Sequence, residues 1–186
     1  GKQPLPVNGN GNQKFTETFS VDRVSTSANK VDDYEIFPWY GEFAGKILTG
    51  MAYMYRVDKN EELFKAGNRF ADALLNAQND DGYIGIYTGM GVMGGNGSNW
   101  DLWNHYHAIY GLYQWYQISG SEKYLNGAIA AADFVYRWFS GNNKQYSSAG
   151  SQSMNLAISH GFAILYKETK NEKYLNAAKS IVLTEW

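Results

Sequence analysis

The chain repeats one pattern three times, and this repeat constrains the fold more than any other feature. In each copy a glycine is followed five residues later by a tyrosine. The pairs are Gly50 and Tyr55, Gly111 and Tyr116, and Gly161 and Tyr166, so that successive copies lie 61 and 50 residues apart. Repeats of this length are typical of stacked supersecondary units that share one core. The sequence therefore predicts an array or toroid of helical hairpins.

Two local signals indicate where the helices lie. Phe43, Ile47, Met51 and Met54 recur at spacings of three and four, which is typical of an amphipathic helix. In each copy an Asp, Ser or Thr lies three positions before a Glu, which is the pattern of a capping box at a helix start. These pairs are Asp58 and Glu61, Ser119 and Glu122, and Thr169 and Glu172. The expected helix pairs are 38–57 and 60–78, 101–118 and 121–138, and 152–168 and 171–184.

The connections between the predicted helices are unequal in length. The turns inside each hairpin are short, whereas 79–99 and 140–151 are long and rich in Gly, Ser and Asn. In an antiparallel array the long connections all lie at one end. Long loops on a rigid scaffold usually build the functional face, so residues at the starts of the helices that follow these loops are expected to line a site.

The chain length suits a single repeat domain with an irregular beginning. We assign 1–37 to a leader and irregular strap, and 38–186 to the hairpin repeats. The first residue is not Met, and the stretch to Gln13 is polar and rich in Asn and Gly. This pattern fits a linker that follows a removed export signal, or an arbitrary boundary. The expectation is an exported protein, periplasmic or extracellular.

Composition excludes several classes of function. The net charge is −2 without a basic block, which disfavours a nucleic-acid partner, and no apolar run approaches the roughly 20 residues of a membrane span. The chain has no cysteine, so it has no disulfide and no thiol nucleophile. His105 and His107 are two residues apart on a predicted helix and cannot ligate one metal together. We therefore expect no metal and no cofactor.

Aromatic side chains are abundant and concentrate at the expected site. They make up 16% of the chain, which suits either a sugar-binding surface or packing between the repeats. Trp39 and Trp100 are 61 residues apart and so occupy equivalent repeat positions. The predicted platform for a sugar consists of Trp39, Trp100, Trp103, His105, Tyr106 and His107.

Two carboxylates are candidates for acid/base chemistry. Glu42 and Asp101 both lie at helix starts among Trp residues, and glycoside hydrolysis typically needs two carboxyl groups that flank the scissile bond. Each has a structural alternative. Glu42 is placed to pair with Lys46 one turn on, and Asp101 is placed to act as a simple N-cap.

The order of several motifs resembles that of a known family. Trp39–Lys46, Gln78–Gly85 and Trp100–Trp103, followed by Gly111 and Leu112, are similar to the N-terminal half of the β-L-arabinofuranosidase-like family of six-hairpin glycosidases. The resemblance implies an (α/α)6 toroid that hydrolyses plant-type glycans in its mouth. It also implies a cysteine nucleophile on a zinc ion held by Cys and Glu. The chain has no Cys, so this zinc–thiolate machinery is not carried over.

The chain is short for such a toroid. At about 50–60 residues for each hairpin, six hairpins need roughly 300 residues, so the sequence predicts an all-α half toroid of three hairpins. The predicted function is a glycoside hydrolase acting on plant or microbial polysaccharide, including arabinofuranoside-type linkages. The alternatives are a non-catalytic carbohydrate-binding module, a fragment of a longer glycosidase, and a homodimer in which two halves complete the ring.

Overall fold

A computed structural model describes residues 37–94, 99–150 and 153–186, and these residues form six α-helices without a β-strand. The helices are α1 (Glu42–Asp58), α2 (Glu61–Asn76), α3 (Asp101–Ser119), α4 (Glu122–Trp138), α5 (Ile158–Thr169) and α6 (Glu172–Thr184). Short 3-10 turns occupy Gly89–Gly91, Ser140–Asn142, Tyr146–Ala149 and Ser153–Ala157. Except for Phe37, the predicted leader and strap at 1–37 lies outside the described residues. Among the described helices, none has the length and apolar character needed to cross a membrane.

The helices form an inner row and an outer row. α3 packs extensively on α1 and also contacts α5, whereas α2 and α4 contact each other in the outer row. Tyr53 and Tyr110 share a hydrogen bond of 2.6 Å, and Arg56 donates to Gln114 at 2.6 Å. Because the residue numbers of both partners increase from the first contact to the second, α1 and α3 run parallel. This all-α array of three hairpins is a partial toroid, as the repeat predicts.

Two glycines allow α1 and α3 to approach closely. A Cβ on Gly45 would overlap the backbone carbonyl of His107, and a Cβ on Gly111 would lie 2.6 Å from the Gly45 carbonyl oxygen. Side chains at these two positions would therefore push the helices apart. The glycine contact fixes the separation of the helices that carry the predicted site.

The three hairpin turns share one geometry, which corrects the predicted capping boxes. Lys59, Gly120 and Lys170 follow the first helix of each hairpin with φ of 54°, 68° and 57°, in the left-handed region. Asp58, Ser119 and Thr169 end the first helices instead of capping the second. Their side chains accept the backbone N–H two residues on, and the N-cap residues are Asn60, Ser121 and Asn171.

A repeated polar clamp joins neighbouring outer helices. Asp72 on α2 accepts a hydrogen bond from Tyr124 at 2.9 Å and pairs with Lys123 at 2.6 Å. Asp133 on α4 does the same with Tyr174 at 2.6 Å and Lys173 at 2.7 Å. We name each set the Lys–Tyr–Asp clamp. The equivalent positions are Glu62 and Leu63 in the first copy and Leu183 in the third, so the clamp occurs only at these two junctions of the described helices.

The third inner helix begins later than 152, because an irregular turn precedes it. Ser153–Ala157 is a 3-10 turn and α5 begins at Ile158. Within the turn, Asn155 is buried, accepts the backbone N–H of Trp103 at 3.0 Å and donates to the Asn99 carbonyl at 3.1 Å. Asn155 thus caps α3 from a different hairpin and ties the starts of two inner helices together.

Candidate functional site

Glu42 lies in the first turn of α1 and faces α3. Its side chain accepts the indole N–H of Trp103 and pairs with Lys46 at 2.9 Å. The residue is only 7% exposed, whereas the Lys46 side chain that pairs with it is 41% exposed. The predicted pairing of Glu42 with Lys46 is present, and the carboxylate is also placed among aromatic rings.

Trp103 organises the surroundings of this carboxylate. Its ring centroid lies 4.3 Å from that of His107 in an edge-to-face arrangement and 5.6 Å from that of Tyr106. The Lys46 ammonium lies 5.5 Å from the Trp103 ring centre, a distance that permits a cation–π interaction. We call Glu42, Lys46, Trp103, Tyr106 and His107 the inner-wall cluster. It combines one acid, one cation and three rings.

His107 is held neutral and has an unused polar atom. Burial, followed by the nearby Lys46 ammonium, lowers the pKa of His107 to about 4, and the Glu42 carboxylate offsets part of this effect. Among the described residues, His107 Nε2 and Asn104 Oδ1 are buried without a hydrogen-bond partner. Unpaired buried polar atoms are costly and usually indicate a ligand or water position. Each atom therefore lacks the hydrogen-bond partner that a water molecule or a ligand hydroxyl would supply.

The aromatic surface continues along the inner helices beyond the cluster. Tyr106 and Tyr110 are stacked, with ring centroids 6.0 Å apart. The Tyr106 hydroxyl lies 3.1 Å from His160 Nδ1, and the Tyr110 hydroxyl lies 2.6 Å from that of Tyr53. Burial lowers the pKa of His160, which favours its neutral imidazole. The inner wall thus offers both rings and hydroxyl groups.

Trp39 and Trp100 meet at the starts of α1 and α3, as their equivalent positions suggest. Their ring centroids are 6.0 Å apart, and Trp39 remains 39% exposed. Asn104 donates to the Pro38 carbonyl at 3.1 Å, and Gly41 leaves the space that the Asn104 side chain fills. The turn that carries Trp39 is therefore anchored to α3. The pair adds an exposed aromatic surface at the loop end of the inner row.

Asp101, the second predicted acid, lies in a different environment from Glu42. It is 0% exposed, and its carboxylate accepts hydrogen bonds from the Tyr83 hydroxyl at 3.1 and 3.2 Å and from the Met93 N–H at 2.9 Å. These partners belong to the loop that leads into α3. The geometry thus gives Asp101 a role in holding that loop and differs from the expectation that it faces a sugar.

His105 is also enclosed, in contrast to its predicted place on the sugar platform. Its Nε2 accepts the Ile84 N–H at 3.1 Å, so Nδ1 carries the proton and donates to the Asp101 carbonyl at 3.0 Å. The ring stacks on Phe134, and the side chain is 0% exposed. His105 and His107 therefore face opposite sides of α3. Only His107 belongs to the inner wall.

The structure thus brings Glu42 together with Trp103, Tyr106 and His107, but not with Asp101. Lys46 joins this cluster, and its repeat equivalence to His107 was the signal that could have identified it. Asn155 was recognisable only as a polar residue near a helix start. Its contact with Trp103 depends on how the third hairpin packs against the second.

The described residues do not fit the zinc site that the resemblance implies. The chain has no Cys, and no group of three His, Asp or Glu side chains converges within 37–94, 99–150 and 153–186. A tetrahedral zinc site needs at least three such protein ligands. No chemical step of this chain is therefore assigned to zinc.

Sequence comparison decides the family. Residues 9–185 match a family model described as the β-L-arabinofuranosidase, GH127 catalytic domain. The chain belongs to this family. No sequence among curated proteins matches this GH127 chain.

Solved structures with the same fold agree with the family assignment. A GH127 β-arabinofuranosidase, BT3674, aligns with a TM-score of 0.71 at 22% identity, covering 94% of this chain and 30% of its own. The GH127 β-L-arabinofuranosidase Ara127N-Se from Geobacillus stearothermophilus T6 aligns with a TM-score of 0.68 at 21% identity, covering 87% and 26%. A protein described as a glycoside hydrolase has a TM-score of 0.60 at 20% identity, covering 97% and 27%.

These similarities establish the fold of the GH127 chain and its extent relative to known structures. At identities of 20–22% they carry no information about individual site residues. The chain spans 26–30% of the length of the three structures. The described hairpins therefore correspond to part of each of these longer chains.

Proposed function

We propose that this GH127 chain contributes a sugar-binding and acid-bearing wall to a glycoside hydrolase that acts on plant or microbial polysaccharide, including arabinofuranoside-type linkages. Family membership supports the reaction class. The observation that carries the proposal for the site is the inner-wall cluster, where Glu42 lies beside Trp103 and an unpaired, neutral His107. Action on such polymers is consistent with export from the cell.

Glu42 is the proposed acid/base residue. It is the one carboxylate of the predicted pair that lies on the inner wall, and Trp103 and Lys46 fix its orientation. A general acid protonates the leaving group, so its loss matters most for substrates with poor leaving groups. Trp103 and Tyr106 are proposed to contact the sugar rings, and His107 and Asn104 to hydrogen-bond sugar hydroxyls.

The test compares hydrolysis of an activated aryl β-L-arabinofuranoside with that of an arabinofuranosyl disaccharide. Glu42→Gln is expected to lower the rate on the disaccharide by at least about 100-fold and the rate on the aryl glycoside much less. The matched control is Glu62→Gln, which removes an exposed carboxylate that also pairs with a lysine. Equal rates for the wild type and Glu42→Gln on both substrates would refute the acid/base role.

A non-catalytic carbohydrate-binding module is the second candidate, and the position of Asp101 favours it. Since Asp101 is enclosed, the described inner wall carries one of the two carboxylates that hydrolysis typically needs. Calorimetry with the same disaccharide distinguishes the candidates. Binding that requires Trp103, without turnover by the isolated chain, would support the module.

We also propose that a second copy of the chain completes the ring as a homodimer. Within the described part of the chain, apolar side chains are exposed at both ends of the array. Phe43, Met54 and Val57 on α1 are 40%, 61% and 86% exposed, and Leu183 and Trp186 at the other end are 78% and 74% exposed. A two-fold arrangement of two half toroids would cover both ends at once. Light scattering is expected to give the mass of a dimer, and a stable monomer at micromolar concentration would contradict this proposal.

A further inference from the structure

A cavity of about 410 Å³ lies apart from the inner-wall cluster, on the outer row at the loop end of the array. It opens between the ends of α2 and α4 and the loop that connects α2 to α3. Its lining comprises Ala77, Asn79, Asp81, Tyr83, Gly85, Tyr87, Thr88, Gly89, Val92, Phe134 and Trp138. Its size is within the range of small-molecule sites, about 300–1,000 Å³.

The turn at the base of this cavity is fixed by several hydrogen bonds. Gly82 adopts φ of 95°, and a Cβ there would overlap the carbonyl oxygen of Ala130 on α4. Gln78 donates to the carbonyls of Gly82 and Gly127, each at 3.0 Å. Arg137 donates to the Asp81 carbonyl at 2.5 Å. The turn therefore packs closely against α4, and the hydrogen bonds of Gln78 and Arg137 hold it there.

The far side of the cavity is held by the buried Asp101 network. The Tyr83 hydroxyl donates to Asp101 and accepts the Tyr87 N–H at 2.9 Å, which fixes the loop between these two tyrosines. The cavity is thus shaped before any ligand arrives, and a preformed site loses less conformational entropy on binding.

The lining has the chemistry of a carbohydrate site. Trp138 and Phe134 form an aromatic wall, with ring centroids 5.8 Å apart, and Trp138 is only half-buried. The Lys144 ammonium lies 5.1 Å from the Trp138 ring centre, so a sugar would pack against the remaining ring surface. Asn79, Asp81 and Thr88 are exposed at the rim, where an amide, a carboxylate and a hydroxyl can exchange hydrogen bonds with vicinal sugar hydroxyls. Asp81 is the one charged residue in the lining, so the lining itself offers no cation to pair with an anionic ligand.

We propose that this outer cavity binds a neutral sugar unit of an oligosaccharide or polysaccharide, as a second site separate from the inner-wall cluster. The aromatic wall would contact the apolar face of the sugar, and the rim would bind its hydroxyls. Both surfaces lie at the loop end of the array, so one polymer can contact both. The outer site needs no catalysis and does not depend on the role of Glu42.

The test measures binding of neutral arabino- and xylo-oligosaccharides to the chain by calorimetry, with oligogalacturonate as the anionic comparison. Trp138→Ala is expected to weaken binding of a neutral oligosaccharide about tenfold, and Thr88→Ala several-fold. Thr88 is exposed, so its variant keeps the test valid if Trp138→Ala fails to fold. Glu62→Gln, at the opposite end of α2 from the cavity and outside both proposed sites, is the control and should retain outer-site binding.

Three results would overturn the outer site. The first is the absence of saturable binding of any neutral oligosaccharide to the wild type. The second is unchanged affinity in both Thr88→Ala and Trp138→Ala when Trp103→Ala abolishes binding. The third is a preference for oligogalacturonate. Hydrolysis is measured separately, so loss of turnover in Glu42→Gln with intact binding concerns only the proposed function.

Discussion

Trp103 donates its indole N–H to Glu42, and the two residues occupy the same position in successive repeats, 61 residues apart. Equivalent positions on parallel inner helices therefore face each other directly. Divergence between copies has placed an acid opposite a ring at one level and Lys46 opposite His107 one turn further on. The repeat supplies the scaffold, and the differences between its copies supply the chemistry.

The burial of His107 gives the folded protein a specific response to acid. The unfolded chain has the ordinary His pKa near 6.5, whereas the folded pKa is about 4, so the unfolded state takes up the proton first. Stability that is present above pH 6.5 is therefore lost as the pH falls towards 4. Urea unfolding of the wild type and His107→Gln should show a smaller loss over this interval in the variant. An identical loss in both proteins would contradict the lowered pKa.

Replacing Asp101 by Asn should destabilise the fold. The substitution exchanges one acceptor oxygen for an NH2 group, which would face the Met93 N–H or the Tyr83 hydroxyl in a fully buried site. A cost of about 3 kcal/mol is expected, measured by chemical denaturation. Tyr83→Phe removes a donor to Asp101 and the acceptor of the Tyr87 N–H, and should cost about 1–3 kcal/mol. If Asp101→Asn keeps full stability and loses only activity, the catalytic role predicted from sequence is correct instead.

Glycine at the hairpin turns should stabilise the protein. Lys170 adopts a left-handed conformation that Gly120 adopts at the equivalent turn. Lys170→Gly is expected to raise the free energy of unfolding by about 0.5–1 kcal/mol, because the strain removed exceeds the entropy that Gly adds to the unfolded chain. Lys59→Gly should give less, since it also removes an ammonium 5.2 Å from the Tyr55 ring. Gly120→Ala is the reverse control, and an increase in its stability would contradict this explanation.

In the Lys–Tyr–Asp clamp the tyrosine should contribute more than the lysine. Tyr174 is buried and donates to Asp133, so Tyr174→Phe should cost about 1.5–2 kcal/mol. Lys173→Met should cost about 0.2–1 kcal/mol, because its ammonium is partly exposed to water. Thermal and urea unfolding can rank the two variants. The reverse order would show that charge pairing dominates the clamp.

The fold was largely predictable because the signals that specify it are local. Helical periodicity and the constant offsets placed all six helices. The predicted start of α3 coincides with the structure, and the other starts differ by one to six residues, the largest difference being at α5. The capping residues were missed by two positions, because a left-handed residue separates Asp58 from Asn60. Sequence cannot show that extra residue without the turn geometry.

The site was less predictable, because it depends on contacts between hairpins. Nothing near Asp101 in the sequence indicates that Tyr83 and Met93 fold back over it. The sequence therefore could not distinguish a buried structural aspartate from an exposed catalytic one. The role of Asn155 could not be predicted either, because its partners lie in a different hairpin. The register of Lys46 and His107 was visible in the sequence because it follows from the repeat alone.

The two Lys–Tyr–Asp clamps make the middle hairpin modular. Its Lys123 and Tyr124 face the first hairpin, and its Asp133 faces the third. The first hairpin therefore carries, in Asp72, the same kind of acceptor that Asp133 offers to Lys173 and Tyr174 of the third hairpin. In the outer layer, a chain with the middle hairpin removed or duplicated would still present matching donors and acceptors at every junction. Growth or loss of the array by whole hairpins requires no new clamp residues.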